Sequence, residues 1–158
     1  MTNELYEKHC WALVDLDAMQ SNLALIKKTV GAPVCCVVKA DAYSHGAAVA
    51  GPWLEENGAA AFAVSCLAEA RHLRRHGISK PILILGYTDP LQVDQLAFNC
   101  ITQTVYSEEY AKALSAAAQN AGVEVHCHFK VDTGMGRIGF SVRSDFEVAI
   151  AAMERCAT

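Results

Sequence analysis

The sequence predicts an α/β fold built on a parallel sheet. From residue 33 onward, short apolar runs alternate with longer segments of helical periodicity, and this alternation is typical of βα units with right-handed crossovers. Several of the longer segments end in glycine, the usual residue after a helix. No run reaches the roughly 18 uninterrupted apolar residues of a membrane span.

The chain opens with a predicted strand and helix. "CWALVDL" (10–16) has the apolar character of a strand. The next segment, 17–31, predicts a helix that starts at Asp17 and is closed by Gly31. The Val-rich "PVCCVVK" (33–39) predicts a second strand, and 46–58 predicts a helix with a kink or a start near Pro52.

The later part of the chain repeats the same unit. The clearest helix is predicted at 107–122, where Ser107 is the cap, acidic residues occupy the first turn and Gly122 ends the helix. Apolar runs and periodic segments predict the remaining strands at 60–65, 81–86, 100–106 and 123–132, and the remaining helices at 66–77, near 91–98 and at 144–158.

Five βα units follow residue 33, and two arrangements fit them. One is a doubly wound open sheet. The other is a (β/α)8 barrel, which typically needs about 250 residues. A chain of 158 residues supplies five of eight barrel units, and its last helix has no clear terminating signal. We therefore expect a piece of a larger protein.

Composition excludes several classes of protein. A hydrophobic content of 53% and a charged content of 19% argue against disorder. A net charge of −4 argues against nucleic-acid binding, which needs clustered basic residues. The polar start shows no signal-peptide pattern, and the seven cysteines lack metal-ligand spacing. We expect a cytoplasmic protein with free, mostly buried thiols, without a metal and without a membrane or nucleic-acid partner.

The stretch "VVKADAYSHG" (37–46) places a lysine at the end of a predicted apolar strand. In parallel α/β folds, chemistry lies at the carboxyl ends of the strands, and Lys39 occupies such an end. An amine held against apolar surface loses its proton more readily, and a neutral amine can form a Schiff base with a carbonyl. The alternative is a lysine that extends from the strand end into solvent.

A second polar stretch, "HFKVDTGMGRIGF" (128–140), also joins a strand to a loop. Polar and apolar residues alternate over 123–132, which predicts either a half-exposed edge strand or a strand whose polar face lines a site. Glycines surround Arg137, whose planar guanidinium suits a carboxylate. The alternative is an exposed loop arginine. "HCH" (126–128) lacks the further ligands that a metal site requires.

These stretches resemble the alanine racemases, which use pyridoxal 5'-phosphate. "VVKADAYSHG" resembles the family's cofactor-lysine motif, "KVDTGMGRIG" (130–139) its second signature, and "WALVDLDAMQSNLALIK" (11–27) its opening strand and helix. Related barrels, such as amino-acid decarboxylases, keep the lysine without this Tyr and His-Gly context. The resemblance covers nearly the whole chain. It implies that residues 1–158 form the N-terminal part of an incomplete (β/α)8 TIM-type barrel, with the family's C-terminal β domain absent.

The resemblance also implies roles for individual residues. Lys39 would hold the cofactor as an internal aldimine and exchange a proton with one face of the substrate Cα. Tyr43 would lie near the cofactor phosphate. Arg137 would help to position the cofactor and to bind the substrate carboxylate. Lys130 matches a position that is carbamylated in some family members, where the resulting carboxylate orients the arginine.

The resemblance implies an enzyme that interconverts L-alanine and D-alanine, supplies D-alanine for peptidoglycan and works as a homodimer. The family's arginine facing the pyridine nitrogen and its second catalytic tyrosine have no match in this chain, and strand 10–16 would pair with the absent β domain. We therefore expect the 158-residue chain to be poorly folded or oligomeric by itself and to racemise alanine negligibly. The alternatives are a non-catalytic pyridoxal-phosphate-binding module, a racemase of another amino acid such as serine, and a generic α/β domain.

Overall fold

The order of the strands selects one of the two predicted arrangements. The computed structural model describes residues 10–142 and 144–156. Its main sheet has five parallel strands in the order β1-β2-β3-β4-β5, so each strand pairs with the next one in the chain. A doubly wound sheet reverses its strand order at a switch point, and this sheet does not. The fold is therefore a partial (β/α) barrel, open between β1 and β5.

The strands are shorter than the sequence predicts. The main sheet contains β1 (Cys35–Val37), β2 (Ala61–Val64), β3 (Ile82–Ile84), β4 (Ile101–Val105) and β5 (Cys127–Phe129), and a separate parallel pair contains β6 (Val131–Asp132) and β7 (Phe140–Ser141). The helices are α1 (Leu16–Val30), α2 (Lys39–Ser44), α3 (Ala47–Glu56), α4 (Leu67–Arg75), α5 (Val93–Phe98), α6 (Glu108–Ala121) and α7 (Phe146–Cys156), with a 3-10 turn at Pro90–Gln92 before α5.

The core lies between one face of the sheet and the helices. Phe62, Ile82 and Ile84 share that face through their register and are fully buried. Side chains alternate between the two faces of a strand, so Val37 and His128 lie on the opposite face, where both are exposed. Crossovers of one hand place successive helices on the same side of a sheet. One face of the sheet is therefore packed against the helices. The other face is exposed at its edges, at Val37 and His128, while Ala63 and Thr104 on the same face are buried.

The helix ends confirm the capping predictions for α6. The hydroxyl of Ser107 accepts a hydrogen bond from the Tyr110 backbone N–H, and Gly122 adopts a left-handed conformation with φ 65°. Gly31 ends α1 in the same way, also with φ 65°. Among the residues described, we find no helix that combines the length and the apolar character needed to cross a bilayer.

The predicted strand at 10–16 is wrong for the described residues. Residues 10–15 form no strand, and α1 begins at Leu16 with Asp15 as its cap rather than Asp17. A strand needs a neighbour for its backbone N–H and C=O groups, and no described strand pairs with this segment. The apolar side chains of Trp11 and Leu13 are 60% and 93% exposed, so apolar composition alone misled the prediction.

Pro52 does not mark the start of a helix, as the sequence suggested it could. It lies inside α3, which begins at Ala47. A proline cannot donate a backbone hydrogen bond to the preceding turn. The neighbouring residues Ala50, Gly51 and Leu54 are buried. Their packing stabilises the helix despite the hydrogen bond that is missing at Pro52.

The loop between β6 and β7 depends on a glycine at one position. The Phe140 N–H donates to the Lys130 carbonyl at 2.8 Å, and this bond brings the two ends of the loop together. Gly139 has φ +130°, and a Cβ atom there would lie 2.9 Å from the Asp132 nitrogen and 3.0 Å from the Lys130 oxygen. Both the dihedral angle and the contact with backbone therefore exclude a side chain.

The capping assignment of α1 predicts unequal effects for two aspartates. Asp15 accepts a hydrogen bond from Ala18 N–H at 2.9 Å, so Asp15→Ala is expected to lower the free energy of unfolding by about 1 kcal/mol. Asp17 lies in the first turn and favours the helix only through its charge, so Asp17→Ala is expected to cost about 0.3 kcal/mol. Urea unfolding of both variants measures the difference, and a larger loss for Asp17→Ala would contradict the assignment.

The β6–β7 loop offers a matched pair of glycines. Gly134 has φ +129°, almost the same as Gly139, but no atom lies within 4 Å of its added Cβ. Gly134→Ala therefore tests backbone strain alone, whereas Gly139→Ala tests strain together with the backbone clash. We expect the second variant to lose about 1–3 kcal/mol more in urea unfolding. Equal losses would mean that the close approach at Gly139 relaxes without cost.

Candidate active site

Lys39 lies at the carboxyl end of β1, as the sequence predicted. The strand itself ends two residues earlier, at Val37. Val38 is buried, and its N–H donates to the Ala63 carbonyl of β2 at 2.9 Å. At Val38 the backbone leaves the extended conformation, with ψ 26°. Sheet hydrogen bonding therefore fixes the chain up to the residue that precedes the lysine.

The element α2 (Lys39–Ser44) is not a right-handed helix. After Lys39 it forms a left-handed turn, which sequence reasoning missed. Residues 40–43 have φ between 50° and 54° and ψ between 45° and 52°, and Ser44 has φ 68°. A left-handed conformation costs a non-glycine residue roughly 1–2 kcal/mol. Five successive residues of this kind need stabilisation from their surroundings. The letters "ADAYS" contain no glycine, and only Asp41 is of a type enriched in this conformation.

Two carboxylates hold the ends of this left-handed turn. At its start, Glu69 Oε1 of α4 accepts a hydrogen bond from Ala40 N–H at 2.8 Å. The other oxygen of Glu69 accepts from the backbone N–H and the hydroxyl of Ser65, at 2.8 and 2.7 Å. At its end, Asp41 Oδ1 accepts from Ala47 N–H, in the first turn of α3, at 2.7 Å. The turn is thereby fastened to α3, to α4 and to the end of β2.

Glu69 is ionised at neutral pH. Partial burial by itself raises the pKa of Glu69, but the hydrogen bonds from Ser65 and from Ala40 N–H outweigh this effect and lower the pKa below the ordinary 4.5. A carboxylate that accepts several hydrogen bonds is a stronger acceptor than a neutral group. The connection between the turn and β2 is therefore charge-assisted.

Lys39 and Tyr43 come together across the turn. Lys39 Nζ lies 5.8 Å from the centre of the Tyr43 ring, within cation–π range. Lys39 is half-buried and Tyr43 is exposed. Within the part of the chain that the structure describes, no hydrogen bond or ion pair occupies the Lys39 amine. A primary amine without a salt bridge is the group that an aldehyde cofactor requires, so Lys39 fits pyridoxal phosphate.

The second predicted stretch is arranged around Asp132. Its carboxylate accepts hydrogen bonds from Gly134 N–H and Gly136 N–H, at 3.0 and 2.9 Å. These bonds lower the pKa of Asp132, and the charge of Lys130 adds to the effect. Arg137 is exposed in the same loop, and among the described residues its guanidinium has no hydrogen bond or ion pair. The structure thus brings Lys130 close to Asp132 but places Arg137 in no contact with Lys39.

The alternation predicted around β5 is confirmed over most of its length. Glu124, His126 and His128 are exposed, while the apolar residues between them are half-buried and pack against the core. The pattern breaks at Lys130, which is half-buried, and β5 is an edge strand of the described sheet. The described ranges contain no group of three or more potential metal ligands.

Further contacts join the carboxyl ends of β2 and β3 to the middle of β4. Gly86, two residues after β3, lies so close to Ser65 that an added Cβ would be 2.6 Å from the Ser65 carbonyl oxygen. Gln103 of β4 is fully buried, and its amide donates to the Gly86 carbonyl at 2.8 Å. Ser65 is also the partner of Glu69. The strand ends around Lys39 are therefore linked from β1 to β4.

Comparison with known proteins agrees with this geometry. The family "Alanine racemase, N-terminal domain" matches residues 14–158. The alanine racemase of Clostridium novyi (strain NT) is 48% identical over 131 residues, which cover 82% of this chain and 34% of the relative. The chain therefore spans about a third of the length of that relative.

Solved structures show the same fold. A histidine racemase from Leuconostoc mesenteroides subsp. sake aligns with a TM-score of 0.81 and 34% identity, over 88% of this chain and 38% of the other. The alanine racemase from Bacillus anthracis, solved with bound L-Ala-P, aligns with a TM-score of 0.81 and 33% identity, over 90% of this chain and 37% of the other. From the family match, the sequence identity and the shared fold, we conclude that the chain belongs to the alanine racemase family and corresponds to its N-terminal domain.

Proposed function

We propose that this chain provides the cofactor-binding lysine of a pyridoxal-phosphate-dependent alanine racemase, which interconverts L-alanine and D-alanine. The observation that carries the proposal is Lys39, a half-buried amine without an ion pair at the carboxyl end of β1. Its backbone is held by the bonds on Val38 and Ala40. Family membership supports the same assignment.

The proposed chemistry needs proton transfer at the substrate Cα. When bound, pyridoxal phosphate supplies an electron sink for the negative charge that develops there. Lys39 Nζ would take the proton from one face of that carbon, or donate a proton to that face in the reverse direction, as a positioned general base and acid. Inversion also needs a proton-transfer group on the opposite face, which this proposal assigns to protein beyond the 158 residues. Tyr43, whose ring already contacts Lys39, would lie beside the cofactor phosphate.

Arg137 and Lys130 have more demanding roles in this proposal. Arg137 would help to position the cofactor and would bind the substrate carboxylate, a task that suits an arginine without another partner. Carbamylation of Lys130 would give a carboxylate that orients Arg137. Because Lys39 and Arg137 follow opposite edges of the open sheet, these roles require Arg137 to turn toward the end of β1.

The cellular setting remains part of the proposal. A cytoplasmic homodimer that supplies D-alanine for peptidoglycan is consistent with family membership. The relatives are almost three times as long as the matched region. We propose that turnover requires protein beyond the 158 residues, and that this chain by itself racemises alanine negligibly.

A racemase of another amino acid is a second candidate. The solved histidine racemase aligns as well as the alanine racemase from Bacillus anthracis, with a TM-score of 0.81 in both cases. The N-terminal fold is therefore compatible with more than one side chain on the substrate. A panel of L-alanine, L-serine and L-histidine, assayed on protein that is competent for turnover, separates these substrates. Cofactor capture without any turnover would favour a non-catalytic binding module.

Covalent capture tests the proposed role of Lys39. We expect that adding pyridoxal phosphate to the purified chain, reducing with borohydride and mapping peptides by mass will place most of the adduct on Lys39. Lys39→Ala should abolish that adduct, whereas substitution of Lys112, which pairs with Glu108 at 2.7 Å, should leave it unchanged. Labelling spread evenly over many lysines would contradict the proposal.

The purified chain also tests the expectation that it does not racemise alanine by itself. The amount of D-alanine formed from L-alanine in the presence of pyridoxal phosphate should not rise above that of a cofactor-only control. Sustained racemisation that is lost in Lys39→Ala would contradict the view that turnover needs additional protein, and would strengthen the role of Lys39.

A further inference from the structure

We propose that Glu69 is a positioning residue for Lys39. Its carboxylate holds the left-handed turn so that the lysine amine is presented at the carboxyl end of the sheet. This inference rests on the proposed function of Lys39. Glu69 itself lies in the first turn of α4, thirty positions from the lysine in sequence, and it contacts the turn through Ala40 rather than through the lysine side chain.

Two hydrogen bonds from backbone N–H groups flank Lys39. On one side, Val38 N–H donates to Ala63 of β2 at 2.9 Å. On the other, Ala40 N–H donates to Glu69 at 2.8 Å. The residue before the lysine is thus fixed by the sheet and the residue after it by the carboxylate. Ala42 N–H also donates to the Val38 carbonyl at 2.9 Å. Without the Glu69 bond, the chain that leaves Lys39 keeps this internal bond but loses its connection to α4 and Ser65.

The backbone after Lys39 is strained. Residues 40–44 all have positive φ, and such a run is maintained only when neighbouring structure determines it. Asp41 and His45 bond within the turn or to the start of α3. Glu69 differs because its other oxygen binds Ser65, at the end of β2. It therefore connects the turn to the sheet through a side chain, in addition to the backbone bond from Ala42 N–H to Val38.

The Glu69 carboxylate accepts more bonds than a neutral amide could. It accepts one hydrogen bond from Ala40 and two from Ser65, and the backbone N–H of Cys66 adds a further contact. A glutamine has nearly the same shape but one oxygen acceptor, and its NH2 group is a donor. In Glu69→Gln, the amide oxygen can serve Ala40 or Ser65, while the NH2 faces the other donor. The variant preserves volume and breaks the bridge.

The chain offers a matched control in Glu55. This residue is also half-buried, and it accepts hydrogen bonds from Ser79 N–H at 3.1 Å, from the Ser79 hydroxyl and from Lys80 N–H at 3.3 Å. Ser79 and Lys80 precede β3, so this bridge lies at the amino end of the sheet, away from Lys39. Glu55→Gln therefore removes the same kind of bridge without touching the turn.

The ionisation of Glu69 gives a pH dependence. The pKa is lowered on folding, so its contribution to stability is present above the ordinary value of 4.5 and is lost as the pH falls through the lower folded-state pKa. Glu69 lines a cleft of about 450 Å³ together with three other charged or titratable residues, Asp41, His72 and Arg75. Lys39 is also near, because it precedes Ala40, which bonds to Glu69. We expect the stability gap between wild type and Glu69→Gln, measured by urea unfolding, to narrow below pH 4.5. A gap that widens there would contradict an ionised Glu69.

The decisive experiment compares wild type, Glu69→Gln and Glu55→Gln by two readouts. The first is the fraction of borohydride-reduced pyridoxal phosphate found on Lys39. The second is hydrogen exchange of a peptide spanning residues 38–46, measured without cofactor. In Glu69→Gln we expect the Lys39 fraction to fall about tenfold, as loss of a charge-assisted bond implies, and the peptide to exchange faster. Glu55→Gln should leave both readouts at the wild-type value.

Two outcomes overturn the inference. One is equal Lys39 labelling and equal exchange in wild type and Glu69→Gln. The other is an equal loss in both variants, which would show a general effect of stability. If wild type itself fails to label Lys39, the proposed function fails. In that case the exchange of the 38–46 peptide still decides whether Glu69 holds the turn.

Discussion

The hydrogen bonds of Glu69 are the interaction on which the rest of the site depends. The chain must leave β1 at Lys39 and pass through five residues whose backbone conformation is unfavourable in isolation. A carboxylate from α4 stabilises the start of that passage and at the same time binds the end of β2. Because one side chain makes both contacts, the position of the lysine is tied to the register of the sheet.

This arrangement is possible because the strands follow one another in order. In a sheet of order β1 to β5, the carboxyl ends of consecutive strands are neighbours, and each following helix begins beside them. The first turn of α4 can therefore reach back to the residue after β1. Contacts between neighbouring strands continue from there: Gly86 packs against Ser65, and the Gln103 amide donates to the Gly86 carbonyl. The packed face of the sheet supplies rigidity, while Lys39 and Ser65, just beyond the strand ends, stay partly or fully exposed.

Local signals were predictable from the sequence, and contacts between distant segments were not. Ser107 and Gly122 define α6 because caps depend on neighbouring residues only. The strand at 10–16 was predicted wrongly because strand formation depends on a partner that the letters do not reveal. The doubly wound alternative could be excluded only by strand order, which no local pattern encodes.

The candidate site also combines one feature that the sequence predicts with others that it does not. The position of Lys39 at a strand end followed from the Val-rich run before it. The left-handed turn did not, because "ADAYS" contains none of the glycines that normally announce positive φ. Glu69 was hidden in a helix whose exposed face is charged, where a glutamate is unremarkable. Its role depends on Ala40 and Ser65, which converge only in the folded chain.

A crystal structure that contains these 158 residues, alone or within a longer chain, tests the central claim most directly. We expect residues 40–44 to have positive φ and the Glu69 carboxylate to accept hydrogen bonds from both Ala40 N–H and Ser65 N–H. A right-handed or extended path after Lys39, with Glu69 pointing into solvent, would contradict it.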